Sequence, residues 1–204
     1  MFDSGISVKS LIEELKNTEV DIALEIPDKT YAEWLNSLQQ LLYTEIIKEQ
    51  KRATVSEWEN NLVDITSIKG EKENTPIFED VYAVYTDDGT QLIKSTVASG
   101  VIFPNTFFRI TDKLGFNTRE TPKHLTIVYF VRPALITTTS HGNITDANVM
   151  VPIEFIDLVK AKLRGEAYKL ANEDSIAAKW LSDYNILLET FKAWIAEKAP
   201  NFGI

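Results

Sequence analysis

Between Pro152 and Lys198 apolar residues recur at steps of three and four. Ile153, Phe155, Ile156, Val159, Leu163, Ala167 and Leu170 mark one stripe. Ile176, Trp180, Leu181, Tyr184, Leu187, Leu188, Phe191, Trp194 and Ile195 mark a second. That is the period of a helix burying one face, and the short polar link between the stripes predicts an antiparallel hairpin. Pro152 suits a first helical turn, because the N–H it lacks has no intrahelical partner there. Asn172 is expected to cap the second helix, with Glu173 and Asp174 in the first turn, where the dipole favours anions. Near the start, residues 1–6 read as loose. Val8, Leu11, Ile12 and Leu15 predict a short helix capped by Ser7. Asp21–Pro27 reads as an extended connection. Asp28 then opens a long helix over Lys29–Lys51, with Tyr31, Trp34, Leu35, Leu38, Leu41, Leu42 and Ile46 inward and Gln39, Gln40, Lys48 and Glu49 toward water. This helix is the expected third partner of the hairpin.

From about Thr54 the period shortens. Residues 62–68 alternate, and Phe78–Ile93 reads as two strands joined at Asp87-Asp88-Gly89, where glycine supplies a positive φ. Residues 96–103, 107–116 and 124–135 follow as further short strands rich in Val, Ile, Phe, Tyr and Thr. Regular spacing with turns between them predicts a small antiparallel sandwich or barrel. The expected class is α+β: an antiparallel helical bundle from N- and C-terminal helices, with a small antiparallel β sandwich or barrel inserted. The expected divisions are 1–54 for the N-terminal helices, 55–136 for the β domain, 137–150 for a polar connecting loop, and 151–204 for the hairpin and a short tail.

Composition narrows the chemistry. The 204 residues contain no cysteine, so disulfides, zinc–thiolate sites and thiol catalysis are excluded. The start has no basic stretch followed by an apolar run, and no apolar stretch reaches the roughly 20 residues that span a bilayer. A cytoplasmic protein without a membrane segment is expected. The net charge of −9 disfavours tight non-specific nucleic-acid binding, which depends on Lys and Arg. His124 and His141 stand alone; His141, near Asn143 and Asp146, reads as a solvated loop residue rather than a ligand or base. Asp87 and Asp88 read as turn residues, Glu173 and Asp174 as helix-end residues, and Glu13 and Glu14 as a polar helix face. The Asn143-Ile144-Thr145 acceptor pattern is inert without a secretory signal. Lys160, Lys162, Arg164 and Lys169 form a basic cluster, read first as a solvated face and second as a contact for an acidic partner. Trp34, Trp180 and Trp194 fall on the stripes and read as core; Trp58, between the helical and β parts, fits either role. No glycine-rich phosphate loop, GxSxG or HExxH occurs, so no enzyme, cofactor or metal is expected.

The layout resembles the head-to-tail adaptor family of tailed bacteriophages, of the neck or tail tubular protein A type. The resemblance rests on Trp34-Leu35-Asn36 in the long helix and on Ile127–Pro133, a strand ending in an aromatic residue shortly before proline. It rests also on the threonine-rich loop leading to Val151-Pro152-Ile153-Glu154-Phe155, and on the acidic turn Asn172-Glu173-Asp174 followed by Ala177–Tyr184. It implies a structural protein of the virion neck, made in the host cytoplasm. Twelve copies would form a ring beneath the portal protein around the DNA channel, with DNA passing without sequence-specific binding. The downstream tail or nozzle protein would be the second partner. The resemblance places the docking tail at Pro200–Ile204, where Phe202 and Ile204 are the apolar anchors. The alternatives are a tail-completion protein, a soluble protein–protein interaction module outside any phage, and a hydrolase using His141 and Asp146 of the 137–150 loop.

Overall fold

A computed structural model describes residues 2–18, 26–68, 77–95, 103–139, 144–145 and 147–202. The chain divides into two units: a helical one from Met1–Ile47 and Pro133–Ile204, and a β one from Lys48–Arg132. The class is α+β, but the expected bundle with a small antiparallel sandwich or barrel inserted does not form. The described residues instead make four α-helices and one seven-stranded mixed sheet, curled as a half-barrel.

The β unit consists of β1 (Gln50–Val55), β2 (Leu62–Asp64), β3 (Ile77–Thr86), β4 (Gln91–Lys94), β5 (Thr106–Ile110), β6 (Lys113–Asn117) and β7 (Leu125–Arg132). Their order across the sheet is β1-β7-β3-β4-β5-β6-β2. Every pairing is antiparallel except β4 with β5, which is parallel. That parallel seam overturns the sandwich. It welds two antiparallel groups into one sheet, where hairpin spacing alone would have left them as separate layers. Curl comes partly from β3, whose register against β7 slips between Phe78 and Asp80 and again between Val81 and Ala83; each bulge bends its strand and adds twist. Val63, Phe78, Val81, Val84, Leu92, Phe107, Leu114, Phe116, Leu125, Ile127 and Tyr129 fill one core inside the curl. Gly115 permits a close approach there, because a Cβ on it would lie 2.2 Å from two atoms of the Phe108 ring. The strand expected over 62–68 ends at Asp64. Its Oδ1 accepts from the N–H and hydroxyl of Thr66 at 2.9 and 2.6 Å and turns the chain into a 3-10 helix at Thr66–Ile68. Of the expected strand at 96–103, only Phe103 lies among the described residues, and it is not in a strand.

The helical unit contains α1 (Val8–Thr18), α2 (Asp28–Leu41, continued as a π-helix over Leu42–Ile47), a 3-10 turn at Ile153–Phe155, α3 (Ile156–Leu170) and α4 (Asp174–Phe202). Among the described residues, only α3 and α4 run along each other at length. At Gly165 of α3 a Cβ would come within 2.7 Å of Leu181, so glycine lets the two helices approach closely. The 11-residue α1 and the 14-residue α2 join the same core but do not run along the hairpin. The helix expected to reach Lys51 stops at Ile47. Lys48 takes φ 49°, and Gln50–Val55 pair with β7. Asp28 is the first helical residue rather than a cap, and its carboxylate meets Lys16 at 2.6 Å. Residues 2–6 are not loose: Ser4 N–H donates to the Val149 carbonyl at 3.1 Å, and Val149 N–H to that of Ile6 at 2.9 Å.

Asn172 does not cap α4. It sits at φ 61° just past α3, its N–H on the Lys169 carbonyl and the N–H of Glu173 on that of Tyr168. These two bonds close a Schellman motif, in which a left-handed residue satisfies the last carbonyls of a helix. Asparagine tolerates that conformation better than most side chains. The start of α4 is closed instead by the Glu173 carbonyl, which accepts from Ile176 and Ala177.

Candidate functional site

The surface best suited to function lies on the α3–α4 hairpin. The apolar stripes of these helices are only partly used inside. Phe155, Val159, Leu163, Ala167, Ala177, Tyr184, Phe191 and Ile195 are buried. Leu170 and Ile176, which the three-and-four spacing assigns to the buried faces, are exposed on either side of the hairpin turn. Ile186, midway along α4, is 65% exposed. It lies outside the stripe, and its position one residue before Leu187 is the sequence signal that could have found it.

An aromatic cluster holds the C-terminal half of α4. The ring centroids of Phe155 and Phe191 are 4.9 Å apart, those of Phe155 and Trp194 5.4 Å, and those of Phe2 and Trp194 5.7 Å. Edge-to-face and tilted pairs of this kind add roughly 0.5–1.5 kcal/mol each beyond burial. They fix the direction in which the helix continues. The two anchors implied by the resemblance follow this cluster. Phe202 closes the last turn of α4, but its side chain lies outside the described residues, as does the whole of Ile204.

Two polar side chains of α2 hold the segment that leads back to the hairpin. The Asn36 amide donates to the Ile136 carbonyl and accepts from the Ile136 N–H, both at 2.8 Å. One turn on, the Gln39 carbonyl oxygen accepts from Met150 N–H at 2.7 Å, and Gln39 is 2% exposed. The expectation that Gln39 faces water is therefore overturned. A backbone segment crossing a buried helix needs donors and acceptors that only such residues supply. The 137–150 connection is itself clipped where Thr145 N–H donates to Thr137 O at 2.9 Å.

Three of the four cations of the α3 cluster are engaged within the unit, and Lys169 is exposed. Lys160 and Arg164, four residues apart, share the face toward α1, and Lys162 lies on the other side of the helix. Lys160 meets Glu14 at 2.5 Å, and Arg164 stacks on Trp180 with its guanidinium carbon 4.7 Å from the ring centroid. Lys162 pairs with Glu166 at 2.6 Å and lies over the Tyr184 ring at 5.2 Å. These internal contacts leave Lys160, Lys162 and Arg164 little free charge for an acidic partner. Trp34 and Trp180 are partly buried against the helical core. Trp58 belongs to the β unit, edge-on to Phe116 at 5.2 Å.

Asp87 and Asp88 are turn residues. The Asp88 carboxylate accepts from the Thr86 hydroxyl at 2.5 Å and the Thr90 N–H at 2.9 Å, and Gly89 has φ 84°. Those bonds, the Thr86 hydroxyl first, hold the Asp88 carboxyl below the usual carboxylate range. Across β3, β4 and β5, Asp80 takes Lys94 at 2.9 Å and Arg109 at 3.3 Å, and Arg109 covers the Phe78 ring. Partial burial pushes the Asp80 carboxyl up. The bonds from Lys94, the Val81 N–H and Arg109 outweigh it, so the net shift is downward. His141 and Asp146 lie outside the described residues. No group of three side chains suited to a metal occurs among the described residues, and no helix among them is long and apolar enough to cross a membrane.

No family model matches the chain, and no curated protein matches it.

Proposed function

We propose that this chain is a non-enzymatic structural adaptor of a tailed-phage virion neck, forming a ring beneath the portal around the DNA channel and linking it to the next tail protein. The observation that carries this reading is a set of exposed large apolar side chains, Leu170 and Ile176 beside the turn and Ile186 midway along α4, on a hairpin whose long helix is anchored by Phe155, Phe191 and Trp194. A ring neighbour or a partner protein would cover these side chains. A helical unit built from both ends of the sequence, with a β unit between them, gives such an adaptor two separate parts with which to meet two neighbours. The mechanism is geometric: stiff helices set the spacing of subunits, and exposed apolar side chains such as Ile186 supply adhesion.

The test is the mass of the protein mixed with the portal ring encoded in the same genome. Addition of about one copy per portal subunit is expected, and Ile186→Lys should weaken it at least tenfold. No binding at micromolar concentration, where a standard-sized specific interface still holds, overturns the portal reading and favours a soluble interaction module.

A further inference from the structure

The two ends of the sheet are not equivalent. Antiparallel pairs alternate between residues bonded to each other and residues whose N–H and C=O point away. Val131 N–H donates to the Glu49 carbonyl at 3.0 Å, and the register sets Gln50 opposite Phe130. The alternation therefore turns Lys51, Ala53 and Val55 toward β7, and leaves Gln50, Arg52 and Thr54 with their peptide groups toward the open side. At the other end, the Asn61 carbonyl accepts from Phe116 N–H and Ile65 N–H donates to Asp112, which turns Leu62 and Asp64 outward. Leu62 is already engaged, because it exchanges bonds of 2.9 and 3.1 Å with Glu59 of its own turn. The three-residue β2 is thus a closed end, and the six-residue β1 an open one.

Charge says what fits. Lys51 and Arg52 are exposed, lie on opposite faces of β1, and enter no ion pair among the described residues. A second copy does not fit well. The one antiparallel register that engages all three outward residues sets Arg52 opposite Arg52, and like charges directly opposed are destabilising. A strand with acidic side chains is favoured on both faces. Ala53 and Val55 lie at the rim of the core, only partly buried, and offer apolar contact on the inner face.

We propose that the β1 edge takes up an extended acidic segment of a partner protein as an eighth strand. Main-chain bonds to Gln50, Arg52 and Thr54 provide the adhesion; Lys51 and Arg52 provide the selectivity.

The test uses the full chain, amide hydrogen exchange by NMR, and a blocked seven-residue peptide alternating glutamate and valine. The peptide should slow exchange at Gln50, Arg52 and Thr54 at least tenfold and leave Lys51, Ala53 and Val55, already bonded to β7, unchanged. Arg52→Pro removes an outward donor without breaking a bond to β7, the edge position that tolerates proline, and should abolish the effect. The pair Lys51→Glu and Arg52→Glu keeps the backbone intact and should weaken binding at least tenfold, which covers the case of a misfolded proline variant. Absence of slowing at millimolar peptide overturns the proposal, and the two cations then serve to keep the edge unpaired. Equal binding of a peptide with lysine in place of glutamate overturns it too.

Discussion

Single side chains decide where the two units are stiff. Asn36 makes two bonds to one peptide unit of the returning segment, and its loss strands a buried N–H and a C=O. Asn36→Ala should lower stability by about 1–3 kcal/mol, read as a fall in the denaturant midpoint at unchanged slope. Asp80 gives a pH signature. Its folded-state carboxyl titrates below its unfolded value, so its contribution is present above the unfolded value and is lost as pH falls through the folded one. Unfolding of the β unit, followed by strand signal in circular dichroism, should become easier on acidification from about pH 5 downward. Asp80→Asn should flatten that slope. Neither residue was legible in the sequence. Asn36 and Gln39 read as ordinary polar positions of an amphipathic helix, because the segment they serve lies about a hundred residues away and periodicity reports only which face is apolar. Asp87 and Asp88 were legible, since turn chemistry is local.

At the scale of elements, glycines mark the tightest packing. In β6 a methyl group at position 115 would collide with the Phe108 ring, 2.2 Å away. Gly115→Ala should destabilise the sheet by about 1–3 kcal/mol. The cost should shrink in a Phe108→Ala background, and a double-mutant cycle by chemical denaturation measures the difference. At the hairpin turn, Asn172→Ala places an alanine at φ 61° and should cost about 1–2 kcal/mol, seen as a lower thermal midpoint. Replacement by glycine should be tolerated. The helices were legible as elements because their stripes are long; their ends were not. Lys48 carries no signal for its left-handed turn, and the π-wound stretch Leu42–Ile47 keeps the apolar pattern of an α-helix. The β3–β4 hairpin was legible from its Asp-Asp-Gly turn, whereas 107–116 read as one strand and is two, β5 and β6, because the Thr111-Asp112 turn between them carries no glycine or proline. The parallel β4–β5 seam was not legible, because no local pattern specifies which strands meet across a longer connection, and that single pairing separates a half-barrel from a sandwich.

Over the whole molecule the charge is uneven. The helical unit carries 18 acidic and 10 basic residues, net −8, while the β unit carries 12 and 11, net −1. Duplex DNA should therefore not be retained in a gel-shift assay at physiological salt, since adhesion requires cations against phosphates. A shifted band would call for a basic surface that neither unit's composition supplies. The division of the sequence also sets the order of biosynthesis. Residues 48–132 leave the ribosome before the second part of the helical unit exists, so the β unit can close while Val8, Leu11, Tyr31 and Leu35 still wait for Val159, Leu163 and Phe191. Until α3 and α4 emerge, the N-terminal helices are left with an uncovered greasy side. A chain stopped short of α3 is thus left as bait for chaperones and proteases, and only a chain translated through α4 yields a subunit fit for assembly.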